Sequence, residues 1–505
     1  MSQQVYRGNL SASSFPFVAE NEGRTVIVPR YDNTYVPQVA SAADSDKDRG
    51  IPQVYYMHNV IPTAQGFKSI GYMQRVRNVS SGFIGLVKVR DSDNSDALLG
   101  FTAAGAFWVL PSGFTEWTFV ANTGVANPIV TAAFVSGITY IYIAGLGCYE
   151  FNFTTGALTP VVLAGLVAAD ILGIVGVAGY LLAWSRDAIA WSSTVDPTDF
   201  VPSIITGAGG GQVEGARGPL TVVSQMPFGF IVYTSVNAVS GTYSGNSRFP
   251  FNFREIINSG GTTNSNYIAS DANTGNNITY TSSGLQTVSI NGTQALLPEV
   301  TDFISGKYFE DFDEESLSFV RTFLTDPMTK QIQVISDRYL VISYGITSLT
   351  HALVYDLSTK RFGKLKVPHV YCFEFPPLVA GAETPRESVA FLKDDGTIVI
   401  AQFGVDIQQG SGVMILGKFQ FIRDRLLTME SIDLDNIRPW SEFDLYDMVS
   451  VDGNNTTNIK CVEKYKKNLT RTYGVRATGI NHSLLLVGAF SMVSFVLHFH
   501  INGRR

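Results

Sequence analysis

Seven times between residues 98 and 403 one small unit recurs: an apolar strand, a turn of Gly, Asp, Asn or Ser, and a second apolar strand. The units are Leu98–Leu110, Ile138–Phe153, Gly179–Ser193, Phe228–Ser244, Asn277–Ile290, Arg338–Tyr355 and Ser388–Phe403, and their starts lie 40 to 61 residues apart. The clearest of them is Gly179–Ser203. Tyr180–Trp184 forms one strand, Ser185-Arg186-Asp187 the turn and Ala188–Ser192 the return strand. The chain then leaves through Asp196-Pro197-Thr198-Asp199, where proline fixes φ and aspartate bonds the backbone two residues on. Hairpins this apolar have two faces to hide. A radial stack hides both, because each small sheet is covered by its neighbours and only short edges remain. A period of about 40–50 residues with all-β content is that of β-propeller blades. The expectation is therefore an all-β chain with a β-propeller of six or seven blades. A sandwich or a string of small β-domains would also use hairpins, but has less reason to space them evenly.

Composition agrees. Charged residues are 16% against a typical ~25%. Glycine is abundant at 47, while Lys and Glu, which long helices favour, are scarce. The length of 505 residues leaves room beyond the propeller, assigned to 96–425. Residues 1–95 read as an N-terminal arm with short strands at Gly23–Pro29 and Gly82–Val89, separated by the polar loop Ser41–Gly50. Residues 426–505 open on a dense charged stretch, then resume strands at Asn458–Tyr465, Leu469–Ala477, His482–Phe490 and Ser491–Ile501. They are expected to form a C-terminal β-domain that shares a sheet with the N-terminal region, an additional domain built from the chain termini. The apolar run Pro160–Trp184 is long enough to cross a bilayer, but Asp170 and four glycines break it into short strands. The first residues carry no apolar signal core, so no secretion signal is inferred. The net charge of −7 argues against a sequence-reading nucleic-acid binder and is compatible with a wall that DNA passes without being gripped.

Candidate chemistry is sparse. Asp44, Asp46 and Asp48 open like a calcium loop, but Arg49 and Tyr55 stand where glycine and glutamate are required. Gly412–Lys418 has phosphate-loop spacing, yet Phe419 replaces the hydroxyl residue, and a strand is expected. The run Gly207–Gly211 reads as a mobile loop. The acidic run 310–315 reads as a solvated face or a subunit contact rather than a catalytic pair. Cys148, Cys372 and Cys461 read as buried thiols. The six histidines are scattered, with His498 and His500 sharing one strand face at most. No GxSxG is present. No catalytic residue, cofactor or metal site is assigned.

The exit stretch Ala190-Trp191-Ser192-Ser193-Thr194-Val195-Asp196-Pro197-Thr198-Asp199-Phe200 resembles the W-S-x-x-x-D-P-x-D-F segment of tail nozzle or hub proteins of short-tailed bacteriophages. The end of the chain, Asn502-Gly503-Arg504-Arg505, is similar in a less specific way. The resemblance implies a non-enzymatic virion protein of the phage tail, assembled in the host cytoplasm as a homohexameric ring. It implies a lumen that passes double-stranded DNA and holds it until ejection. The implied partners are an adaptor of the head-to-tail connector above and tail fibre or needle proteins alongside. In residue terms it implies a structural motif. Trp184 and Trp191 would be blade-core residues, and Asp196, Pro197, Asp199 and Phe200 would form the exit loop. The competing expectation is a propeller-type glycan-binding or glycan-degrading tail component, with the acidic run 310–315 lining a cleft.

Overall fold

The computed structural model describes residues 3–9, 24–27 and 54–504, except 64–65, 77–78, 80–81, 91–95, 112–115, 228, 247–248, 272–273, 307, 316–317, 376–387, 404–409, 420–424, 436–440, 451–456, 465–471, 480 and 493. The candidate calcium loop at 44–49 lies outside them.

Each of the seven sequence hairpins forms the two middle strands of one blade. Blade three is representative: Gly173–Val177, Tyr180–Trp184, Ala188–Trp191 and Gly209–Gln212 run antiparallel in that order. Its first two strands are joined by Ala178-Gly179, with φ of 51° and 84°, a two-residue turn whose twist matches that of the strands. Blade one takes Phe83–Arg90 to Thr118–Asn122, blade two Val130–Val135 to Ala157–Val161, blade four Leu220–Met226 to Phe251–Glu255 and blade five Ile268–Asp271 to Gly292–Ala295. Blade six takes Thr329–Ile335 to Arg361–His369. Blade seven has three strands, Tyr371–Glu374, Ser388–Leu392 and Ile398–Gln402, and borrows its fourth, Tyr72–Val76, from far upstream. The first strands of successive blades are neighbours all the way round, so the described residues form a closed seven-bladed ring.

An apolar cluster fills each wedge between blades. Phe83, Leu98, Trp117, Phe373 and Leu392 join blade one to blade seven. The Trp117 indole N–H reinforces that closure by donating to the Gly396 carbonyl at 2.8 Å. Covering both faces of every blade in this way is the physical reason the hairpins are so apolar.

The termini build the second domain. One five-stranded sheet has the order Arg24–Ile27, Gln3–Asn9, Ser494–Arg504, Arg425–Asp435, Thr472–Gly479. The other has the order Val54–His58, Gly412–Phe419, Asn481–Ala489, Glu442–Ser450, Thr457–Lys464. Gly412–Phe419 is thus a strand, as its apolar residues imply. The two domains are woven together, since the outer strand of blade six pairs with Val60–Pro62, then Phe67–Ser69, then Ser491–Met492. Between blades five and six the chain inserts the short helix Pro298–Ile304 and a hairpin, Tyr308–Asp313 with Ser318–Phe323. No helix among the described residues is long and apolar enough to cross a membrane. Pro160–Trp184 instead contributes the end of one strand and two further strands.

A first expectation is corrected. The glycine run at 207–211 is not a loop throughout, because Gly209–Gln212 is the outer strand of blade three.

Candidate functional site

The stretch that carries the resemblance forms the joint between blades two and three. After Trp191 the chain does not return directly to the next strand. It swings out as residues 192–208 and meets the linker from blade two, where Ala164 and Asp199 form a parallel bridge. The Ala164 amide donates to Thr198 at 2.9 Å, and the Phe200 amide donates to Ala164 at 2.9 Å. Phe200, 2% exposed, is driven into the wedge between the two blades beside Leu163, Ile171, Ile174 and Leu181.

The turn that aims Phe200 is built by its own side chains. Asp196 Oδ1 accepts from the Thr198 amide at 2.8 Å and its hydroxyl at 2.7 Å. Those two bonds hold the Asp196 carboxyl below the usual carboxylate range. Asp199 Oδ1 accepts from the Val201 amide at 3.0 Å, and the Ser193 amide donates to the Asp199 carbonyl at 2.7 Å. Pro197 is buried within the turn. Ser192, 0% exposed, accepts from the Leu181 amide and donates to the Ser193 carbonyl, both at 3.0 Å.

Trp184 is buried, with its ring on Gly173; a Cβ there would come within 2.5 Å of it. Trp191 is half-buried. Its indole N–H donates to the Gly207 carbonyl at 3.0 Å, and its ring meets Phe251 of blade four. Asp196, Pro197, Asp199 and Phe200 therefore act together at the joint between blades two and three, while Trp184 and Trp191 pack in the cluster between blades three and four, and all six serve packing and turn formation. Ser192, Ser193 and the linker residue Ala164 belong to the same joint. Their spacing in the chain carries no hint of it, because Ala164 reaches the motif only through the propeller.

A second locus, not anticipated, lies where the inserted hairpin meets blade six and the terminal domain. Asp311 Oδ2 is 2.7 Å from Lys366 Nζ, and its Oδ1 accepts from His351 Nε2 at 3.3 Å and from the Tyr56 hydroxyl at 3.0 Å. Burial pushes the Asp311 carboxyl up, but the His351 hydrogen bond and the charges of Lys366 and Lys364 outweigh it and hold the carboxyl well below its ordinary range. Burial pushes His351 down to about 3 and lowers His58, whose Nε2 donates to Glu314 Oε1 at 2.8 Å. The Tyr56 hydroxyl also lies 3.1 Å from His58 Nδ1, so one phenol proton serves two acceptors.

Of the run 310–315, read as a solvated face or a subunit contact, Asp311 departs from a solvated face while Glu314 and Glu315 remain exposed. Asp311 and Phe312 turn inward, with Phe312 1% exposed beside the Tyr56 ring. The histidine that ends the apolar strand Val54–His58 is a signal that could have marked it. The cluster ties three elements together. Among the described residues no group of three or more His, Cys, Asp or Glu is set to hold a metal ion. Cys148 and Cys372 are buried free thiols, pushed up to about 12 by desolvation. The side chains of Cys461, His498 and His500 lie outside the described set.

No family model and no curated protein matches the chain. Among solved structures it is similar to YCF48 from Cyanidioschyzon merolae, at 12% identity over 66% of this chain and 98% of that one, with a TM-score of 0.40. It is similar to BamB from Moraxella catarrhalis at 10% identity, over 70% of this chain and 100% of that one, with a TM-score of 0.35. For the WD40 β-propeller domain of Doa1 the values are 9% identity, 66% and 97% coverage and a TM-score of 0.38.

Proposed function

We propose that this chain is a structural subunit of a virion, the ring-forming nozzle or hub of a short phage tail, and not an enzyme. In this reading six copies surround an axial channel through which double-stranded DNA is held and then released. An adaptor ring lies above them and fibre or needle proteins alongside. The observation that carries the reading is the Ala190–Phe200 stretch. It has the residue types of the tail-protein segment it resembles, and in this chain they form an inter-blade clamp.

Two physical features support it. The propeller is closed by a strand from outside its own repeat, and the terminal domain is stitched to blade six by shared β-ladders. Such a body transmits load through backbone hydrogen bonds rather than through a flexible linker. The scarcity of charge, 16%, suits large permanent subunit contacts and a surface that does not grip phosphate.

Negative-stain imaging of the concentrated protein, alone and with its particle's adaptor, is the test. A six-fold ring with a central channel is the expected result. A monomer under both conditions overturns the proposal.

A further inference from the structure

An apolar patch surrounds the joint between blades two and three. Val162 and Val167 project from the blade-two linker, and Val195, Val201, Ile204 and Ile205 from the loop it bridges. Ile205 is 95% exposed and Val195 85%. Single exposed aliphatics are ordinary, but six of them lie within six residues of the two residues of one bridge, and on soluble proteins clustered exposed apolar surface marks interaction sites.

The patch is held in shape. Ser193 Oγ accepts from the Val195 amide at 3.0 Å, Asp199 Oδ1 from the Val201 amide at 3.0 Å, and Ser203 Oγ from the Ile205 amide at 3.2 Å. Each turn leaves an aliphatic side chain outward while its backbone is satisfied locally. A surface fixed beforehand loses little freedom on binding.

Its charge is one-sided. The two segments that form it, 157–171 and 192–208, contain Asp170, Asp196 and Asp199 and no lysine or arginine. Two-fold pairing of the patch with itself would set these three carboxylates against their copies, which like-charge repulsion opposes. In a seven-membered ring this joint faces blade six across the channel, and blade six is the blade that carries the terminal domain. The patch therefore lies on the side of the propeller away from the terminal domain.

We propose that this rim is a docking surface for a protein partner that offers an apolar face bordered by lysine or arginine. The proposal does not rest on the tail reading above. The probe is a fluorescently labelled amphipathic helical peptide of leucine and lysine, with its leucine and glutamate counterpart as control. Binding is followed by anisotropy at physiological salt on the full chain.

The wild type should bind the leucine–lysine peptide saturably and one-to-one, about tenfold more tightly than the control. Val195→Asp with Ile205→Asp should weaken that binding about tenfold, although it adds negative charge. Binding by charge alone would instead strengthen. Val195→Ser with Ile205→Ser, checked for an unchanged melting curve, should weaken it in the same direction without altering charge. Equal binding of both peptides, or undiminished binding by the serine variant, overturns the proposal. So does mass photometry showing that the wild type self-associates through these residues, because the occupant is then a second copy.

Discussion

Phe200 is 2% exposed although it belongs to a loop, and it lies among residues from two blades. A buried phenylalanine in such a wedge contributes transfer free energy and fills a space its neighbours cannot close. Phe200→Ala should therefore cost about 3–5 kcal/mol in denaturant unfolding. A loss below about 1 kcal/mol, the range of a surface substitution, would show that the loop does not hold the joint. His351 makes a second residue-scale case. Its folded pKa, about 3, lies below its ordinary value of 6.5, so the unfolded chain binds the proton first. Stability from this group is present above about pH 6.5 and is lost as pH falls from there toward about 3. His58 is lowered too, and the depressed carboxyl of Asp311 acts in the same direction at the acid end. The melting temperature should fall on acidification from neutral pH toward pH 4, and His351→Gln should make that fall shallower. An unchanged slope in the variant would remove His351 from the explanation.

At the scale of elements, the strand Tyr72–Val76 decides whether the ring is closed. Met73 pairs with Ile400 and Gln74 with Val399. Along an antiparallel edge alternate N–H groups face the partner, so prolines at both positions must remove a ladder bond. Met73→Pro with Gln74→Pro should speed hydrogen exchange in Ile398–Gln402 while leaving the middle strands of blade three protected. Equal exchange in both would mean that the apolar wedge alone closes the ring. The outer strand Gly209–Gln212 shows what such elements ask of their residues. A Cβ on Gly209 would sit 3.2 Å from the Trp191 ring, and one on Gly210 2.9 Å from the Ile189 carbonyl. Those glycines permit close approach within a sheet, although by composition the run reads as a loop.

At the scale of the whole molecule, one apolar cluster joins Ile278 and Leu285 of blade five, Leu340 and Leu353 of blade six, and Met57, Met414 and Leu486 of the terminal domain. Domains that share a core and a sheet cannot unfold one at a time without exposing it. Calorimetry should therefore give a single transition with matching calorimetric and van't Hoff enthalpies. Two resolved transitions would show that the ladder through Val60–Pro62 contributes little.

A propeller of six or seven blades, the middle hairpin of each blade and the termini as a further β-rich unit were legible in the chain itself. Each is set by local alternation and by turn residues, which act over a few positions. Tertiary structure alone decided which strand closes blade seven, that Ala164 meets Asp199, and that Asp311 turns inward to His351 and Lys366. These are pairings between distant parts of the chain, selected by which surfaces remain uncovered once the blades have stacked. No local pattern of residues encodes that choice.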